Sequence, residues 1–364
     1  MRVLFAGGGT GGHINPAISI ADYAAKQDKN FKALFVGTKS GLETKLVPKA
    51  GYDIEYIEIQ GFDRKHIFRN FETVKKLISA RRKCNKIIKE FKPDCIVCTG
   101  GYVSGPVAMA SKKMKVPSLI HEQNVYPGMT VKGSANYVTY LALSFEETIN
   151  HMQHKEKCVV TGNPIRSEIL YSDYKKSREK LGIKKPFVLI FGGSLGADRI
   201  NDTVIGMLDR ISKDNKIELL FGTGDRNYDK IMNKIKESGI TLSDNIKIVS
   251  YIDNMAECMA AADVVVSRAG AITVSEIAAL GKPSILIPSP NVVRNHQEFE
   301  NKNAAELILE KDLTSDALYD KIMSMVSDKE RLKEMSENLK PLAKVDALEK
   351  IYELMIKMAK GDRK

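Results

Sequence analysis

Short apolar runs recur along the whole chain. They fall at residues 2–6 (RVLFA), 33–36 (ALFV), 95–98 (CIVC), 118–121 (SLIH), 187–191 (FVLIF), 218–221 (ELLF), 264–267 (VVVS) and 284–287 (SILI). Gly or Pro bounds them, and longer helix-compatible stretches separate them. Strand-length apolar runs alternating with helices predict parallel sheets covered by helices on both faces. Near the C-terminus, Leu348, Ile351, Tyr352, Met355 and Met358 recur at helical spacing, which predicts an amphipathic packing helix over residues 345–359.

A strand, a glycine loop and a helix start follow one another twice, in MRVLFAGGGTGGH from the N-terminus and in FVLIFGGSLGADRIN at residues 187–201. Each copy is expected to open its own sheet. The TGNPIR segment at residues 161–166 interrupts the pattern between them. The expected organisation is two Rossmann-like, doubly wound α/β domains with a cleft between them. They span residues 1–162 and 163–344, with a closing helix, 345–364, packed back on the first domain.

The 43% hydrophobic and 28% charged composition is that of a soluble globular protein. A net charge of +11 points to an anionic partner, whether nucleic acid, membrane or phosphorylated substrate, or else to a merely basic surface. The N-terminus runs directly into a strand and glycines rather than a signal sequence, and no apolar run approaches 18 residues. These features suggest a cytoplasmic chain. Of its five cysteines, Cys95 and Cys98 form a CxxC within a predicted strand. Strand periodicity sends them to opposite faces, so buried thiols are expected rather than a metal or redox pair.

The first loop formally matches GxGxxG through Gly7, Gly9 and Gly12. A nicotinamide site adds an acid at the end of the second strand. Here that strand ends Phe35-Val36-Gly37-Thr38, which weighs against an oxidoreductase. Glycines still let backbone approach a ligand, and a helix N-terminus still favours anions. His13 stands where loop meets helix, either as a general base, given an ordinary pKa of about 6.5, or as a capping, merely polar residue. The second loop, with Ser194, either cradles a pyrophosphate or is only a tight turn. Three more polar segments follow strands: residues 99–106 with Tyr102, 121–128 with Glu122 and Asn124, and 267–276, where Glu276 is expected on the first helical turn.

The segments GGGTGGH, GGYVSGP, HEQN..PG, TGNPIR, GGSLGA...N, YIDNM, SRAGA.T.SE and P.....NHQ occur here in the order found in the MurG family, which the chain resembles over nearly its whole length. These are UDP-N-acetylglucosamine–N-acetylmuramyl-(pentapeptide) pyrophosphoryl-undecaprenol N-acetylglucosamine transferases. The resemblance implies a GT-B fold and inverting transfer of N-acetylglucosamine from UDP-N-acetylglucosamine to lipid I, giving lipid II. It implies that the second domain holds the donor. Ile252 would meet uracil through its backbone, and Ser194, Ala271, Ile272 and Thr273 would lie by the pyrophosphate. Glu276 would hold the ribose. Thr10, Gly11, Gly12, Asn124 and Gln297 would surround sugar and phosphates, and Arg166 would pair with negative charge. Tyr102 and Asn201 join the substrate-binding set. His13 is the first choice for base and Glu122 the second. No Asp-x-Asp pair accompanies the motifs, so no metal or other cofactor is expected. After Gln297 the chain departs from the family, with Glu300 at the usual Asn position and Asn303-Ala304 displaced.

Residues 61–92 carry eleven Lys and Arg against three acids, with apolar Ile67, Phe68, Phe71, Val74, Leu77 and Ile78 interleaved. A basic amphipathic stretch suits an anionic membrane surface. Peripheral attachment to the cytoplasmic face of the membrane is therefore expected, with a solvated helix face as the plain alternative. No nucleic-acid motif accompanies the charge, so no nucleic-acid partner is expected. Two other functions compete: another GT-B enzyme, such as a UDP-N-acetylglucosamine epimerase or a glycolipid synthase, and a non-catalytic nucleotide-sugar binding protein.

Overall fold

The computed structural model describes residues 1–61, 70–193, 196–289 and 297–361. The chain divides into two compact units, Met1–Arg166 with Lys344–Lys364, and Ser167–Ala343.

The first unit is built on a parallel seven-stranded sheet. Its strands are β1 (Arg2–Gly7), β2 (Lys32–Gly37), β3 (Asp53–Tyr56), β4 (Cys95–Gly100), β5 (Ser118–Glu122), β6 (Tyr140–Leu143) and β7 (Cys158–Val160), in the order β3-β2-β1-β4-β5-β6-β7. Alternate residues of the central strands feed two cores. Val3, Phe5, Cys95 and Val97 pack with Ile14, Ala17, Ile20, Ala21 and Ala24 of helix α1 (Gly11–Gln27), and with Leu348, Ile351, Met355 and Met358 of the helix Ala347–Ala359. Leu4, Ala6, Ile96 and Cys98 pack on the other side. Their partners include Ala80, Cys84 and Ile88 of the helix Asn70–Phe91, and Val107, Ala108 and Ala110 of the helix Ser104–Met114. Burial on both faces is why these strands read as continuous apolar runs. It also separates Cys95 from Cys98 and pushes both thiols up, Cys95 to about 12.

The second unit has a parallel six-stranded sheet in the order β10-β9-β8-β11-β12-β13. Its strands are β8 (Phe187–Phe191), β9 (Glu218–Gly222), β10 (Ile246–Val249), β11 (Val264–Ser267), β12 (Ser284–Leu286) and β13 (Glu306–Leu307). The amphipathic helix Asp198–Asp214 buries Ile200, Val204, Met207, Leu208 and Ile211 against it.

In both sheets strand order reverses beside the strand that precedes the glycine loop, at β1/β4 and at β8/β11. Such switch points leave an opening at the C-terminal ends of the strands, where α/β folds bind ligands. The unit boundary falls at Arg166/Ser167, four residues beyond the expected one. The reason is local. Asn163 accepts a hydrogen bond from Ser144 Oγ at 2.7 Å and donates to the Gln123 carbonyl at 3.2 Å, which ties it to the first sheet. Lys344 likewise donates to the Ser144 carbonyl and belongs with the first unit.

Candidate active site

In the first unit, three loops meet at the C-terminal ends of β1, β4 and β5. The β1–β4 register shifts between Ala6 and Gly7, which sets Gly7 opposite Gly100 and starts both glycine turns at one level. Gly9 makes its turn at φ +87°, in the left-handed region that favours glycine. Thr10 is the N-cap of α1, and its carbonyl accepts from the His13 and Ile14 amides at 3.1 and 3.2 Å. The cap position is thus Thr10's, and the His13 side chain is left for another purpose.

The imidazole turns back over the loop. Nδ1 lies 3.2 Å from the Gly8 carbonyl and 3.3 Å from Thr10 Oγ1. A carbonyl only accepts, so the Gly8 bond places the proton on Nδ1 and leaves the lone pair on Nε2. Burial holds the imidazole below its usual pKa, and the Gly8 bond partly opposes that. Gly100, at φ +110°, passes against the ring: a β-carbon there would stand 2.6 Å from His13 Cδ2. Gly101 packs its backbone on Gly8 in the same way. Thr99 Oγ1 donates to the His13 carbonyl at 2.7 Å, and Gln123 Nε2 donates to the Thr99 carbonyl at 2.7 Å, joining the third loop.

Glu122 stands differently. It is buried and accepts from the Asn124 amide at 2.9 Å, Asn124 Nδ2 at 3.0 Å and the Gly128 amide at 2.8 Å. Burial raises its pKa, and these donors oppose the rise. Its carboxylate therefore clamps its own loop, with Asn124 as a member of that clamp. Neighbouring His121 is fully buried between the Gly162 carbonyl and Gln123, and burial lowers its pKa to about 4. Tyr102 is exposed, with its ring beside Gly61. Thr10 and Gly12 are exposed and Gly11 is buried. Arg166 is half-buried at the end of the unit's first segment.

The residue that sequence reasoning missed is Glu43, the first residue of helix α2 (Glu43–Lys49). Fully buried, it accepts from the Gly9 amide at 2.9 Å and from the Thr38 amide and hydroxyl, each at 2.8 Å. An acid does therefore follow the second strand, five residues beyond Thr38, but its oxygens are bound by protein donors and are not presented to a ribose. An acid opening a helix is a common dipole partner, so nothing in its position distinguishes it in the sequence.

In the second unit, the helix Ala271–Leu280 begins at Gly270 beside β11. First-turn amides have no acceptor within their own helix, and Ile272 and Thr273 stand there, next to Ala271. Glu276 lies on the second turn, not the first, and is buried, so attraction to the helix N-terminus does not explain it. Asn201 is buried and donates to the Thr223 carbonyl at 3.0 Å, which braces the loop after β9. Gly196 packs against Thr223 and Asn227. Ile252 is buried against Gly222 and lines a 340 Å³ cavity with Tyr251, Asp253 and Asn254. Ser194 and the Gln297 side chain lie outside the described residues, although Gln297 opens a helix, Gln297–Asn301.

The structure thus gathers His13, Thr10 and Gly8 in one contact set and Glu122 with Asn124 in another, linked through Gln123 and Thr99. In the other unit, Ala271, Ile272, Thr273 and Glu276 share one helix. Among the described residues, no group of three or more His, Cys, Asp or Glu is placed to hold a metal.

Comparison with known proteins places this arrangement. Residues 3–143 match the glycosyltransferase family 28 N-terminal domain and residues 187–351 its C-terminal domain. An Acinetobacter baumannii MurG crystal structure superposes with a TM-score of 0.74 at 24% identity, covering 98% of this chain and 99% of that one. A putative UDP-N-acetylglucosamine 2-epimerase from Listeria monocytogenes reaches the same TM-score at 13% identity, covering 100% and 97%. The fold is common to both activities and does not choose between them. Sequence does: the UDP-N-acetylglucosamine–N-acetylmuramyl-(pentapeptide) pyrophosphoryl-undecaprenol N-acetylglucosamine transferase of Caldanaerobacter subterraneus is 48% identical over 362 residues, 98% of this chain and 99% of its own length. The chain is a glycosyltransferase of family 28 and belongs to the MurG family of N-acetylglucosamine transferases.

Proposed function

We propose that His13 is the general base of an inverting transfer in which N-acetylglucosamine passes from UDP-N-acetylglucosamine to the muramyl 4-hydroxyl of lipid I, giving lipid II for peptidoglycan. The observation that carries this role is the Nδ1–Gly8 bond, which leaves Nε2 able to take the hydroxyl proton. A sugar hydroxyl is a weak nucleophile, and a base in hydrogen-bond reach contributes about 10²- to 10⁴-fold. Glu122 suits the base role less well, because three donors from its own loop already engage its oxygens.

In this reading the departing UDP meets the first-turn amides around Ala271, Ile272 and Thr273, where a helix N-terminus stabilises growing negative charge. Ser194 adds a hydroxyl to the pyrophosphate, the Ile252 backbone meets uracil and Glu276 takes the ribose hydroxyls. Thr10, Gly11, Gly12, Asn124 and Gln297 surround sugar and phosphates, Tyr102 borders the acceptor, and Arg166 pairs with negative charge. Asn201 joins the substrate-binding set while its Nδ2 braces the Thr223 loop.

The acceptor is a membrane lipid, and the helix Asn70–Phe91 supports attachment to an anionic bilayer surface. It exposes Val74 and Ile78, one turn apart, with Lys75, Arg82 and Lys83 exposed on the same helix. Arg64, Lys65, Ile67, Phe68 and Arg69 lie outside the described residues. Among the described residues, no helix is long and apolar enough to cross a membrane.

The test is to supply UDP-N-acetylglucosamine with and without a short-chain lipid I analogue. UDP release that requires the acceptor is the expected result. Epimerised sugar without acceptor, or binding without turnover, would overturn the assignment.

A further inference from the structure

The Gly8 carbonyl and the Gly9 amide are the two ends of one peptide group. His13 Nδ1 donates to the carbonyl end at 3.2 Å, and the amide end donates to Glu43 Oε2 at 2.9 Å. A planar, resonance-stabilised peptide transmits polarisation between its ends, and hydrogen bonds in series strengthen one another at low local dielectric.

We infer that Glu43 is a positioning residue for His13, acting through the Gly8–Gly9 peptide: the buried carboxylate polarises that peptide, and the peptide orients the imidazole and raises the basicity of Nε2. The inference rests on the reading of His13 as base. No proton moves along the path. Nδ1 keeps its proton throughout, and the proton from the acceptor hydroxyl goes to Nε2. The arrangement performs the task of the carboxylate–imidazole pair in hydrolytic triads with a peptide group inserted between the members.

Three observations converge. Glu43 is fully buried, and its oxygens are engaged by Gly9 and Thr38. Glycines make the space it fills: β-carbons added at Gly8 and Gly37 would stand 2.8 and 2.6 Å from Glu43 atoms. Gly100 packs against the far edge of the imidazole, and Thr10 Oγ1 lies 3.3 Å from the same Nδ1 that meets Gly8. The titratable side chains on the surrounding elements include Glu43 on α2, the buried Cys95 and Cys98 on β4, Tyr102 after β4, and Glu122 and His121 on β5, with His121 held by Gly162 and Gln123. Glu122 is bound into its own loop, and Tyr102 lies beside Gly61. Glu43 is, among the described residues, the one bonded to this peptide.

The experiment is a nitrogen-15 NMR titration of His13 in the full-length enzyme, with the resonance identified by its loss in His13→Ala, alongside the pH profile of kcat/KM. Glu43→Gln removes the charge. The His13 titration and the acid limb should both move to lower pH by roughly 0.5–1 unit, with the Nδ1–H preference weakened. The kcat plateau should fall roughly 10- to 100-fold. Glu43→Asp should restore part of the shift. A fall in kcat with an unmoved His13 titration would mean that Glu43 only holds the loop, and would overturn the inference. Should Glu43→Gln fail to fold, Thr38→Val gives the opposite test. It removes one competing donor, so the titration should move to higher pH, and no movement contradicts the coupling. Full activity of His13→Ala would instead remove the base reading, an outcome separate from the titration.

Discussion

At the residue scale, side chains of similar sequence prominence divide into different tasks. His13, Glu122, His121 and Glu43 are all polar residues at strand or helix ends. Among the described residues His13 keeps Nε2 without a hydrogen-bond partner, whereas Glu122 and His121 are engaged by neighbouring groups. His121 has a consequence for stability. Its folded pKa of about 4 lies below the unfolded value, so the unfolded chain binds the proton first as pH falls. Its contribution is complete above about pH 6.5 and declines toward pH 4, by about 3 kcal/mol in all. Denaturant unfolding across that window should show a shallower pH slope in His121→Asn than in the natural chain, and equal slopes would contradict the assignment. The sequence made His13 legible because a glycine loop and helix start flank it. It did not reveal Glu43, whose partners Gly9 and Thr38 come from separate segments that only β1–β2 pairing brings together. Nor did it show that Asn201 faces the Thr223 carbonyl.

At the element scale, the strands read from the sequence are internal ones, most of them buried on both faces. Those missed at the sheet edges, β3, β7, β10 and β13, are short and half-exposed, so no continuous apolar run marks them. The internal strand β6 escaped for another reason. Its four buried residues, YLAL, suit a buried helical turn as well as a strand. The helix Asn70–Phe91 combines two faces in one charged sequence. Thr73, Ala80, Cys84, Ile87 and Ile88 are buried, while Val74 and Ile78 are exposed. At about 1 kcal/mol per basic residue near an anionic surface, Arg82→Ala with Lys83→Ala should weaken binding to anionic vesicles about 30-fold at low salt. Turnover of a water-soluble acceptor should stay unchanged. Unaltered vesicle binding, measured by co-sedimentation, would return this face to the status of a solvated surface.

At the scale of the whole molecule, one device is used twice. Each unit opens a parallel sheet with a strand and glycine loop and places its candidate residues beside a switch in strand order. The first loop alone resembles a dinucleotide site, and the acid that site requires is present as Glu43 but turned inward. In the proposed reading the loop is a platform for a base, while the helix Ala271–Leu280 of the second unit offers its N-terminus to the leaving nucleotide. In that reading the base lies in the first unit and most nucleotide contacts lie in the second, so removing the His13 imidazole alone should leave donor binding intact. The most direct test compares the natural chain with His13→Ala for UDP-N-acetylglucosamine affinity and for single-turnover transfer to a lipid I analogue. The account predicts unchanged donor affinity and a transfer rate lower by about 10²- to 10⁴-fold, with the natural enzyme's acid limb below about pH 6.5, because burial lowers the His13 pKa. Transfer by His13→Ala at the natural rate would contradict it.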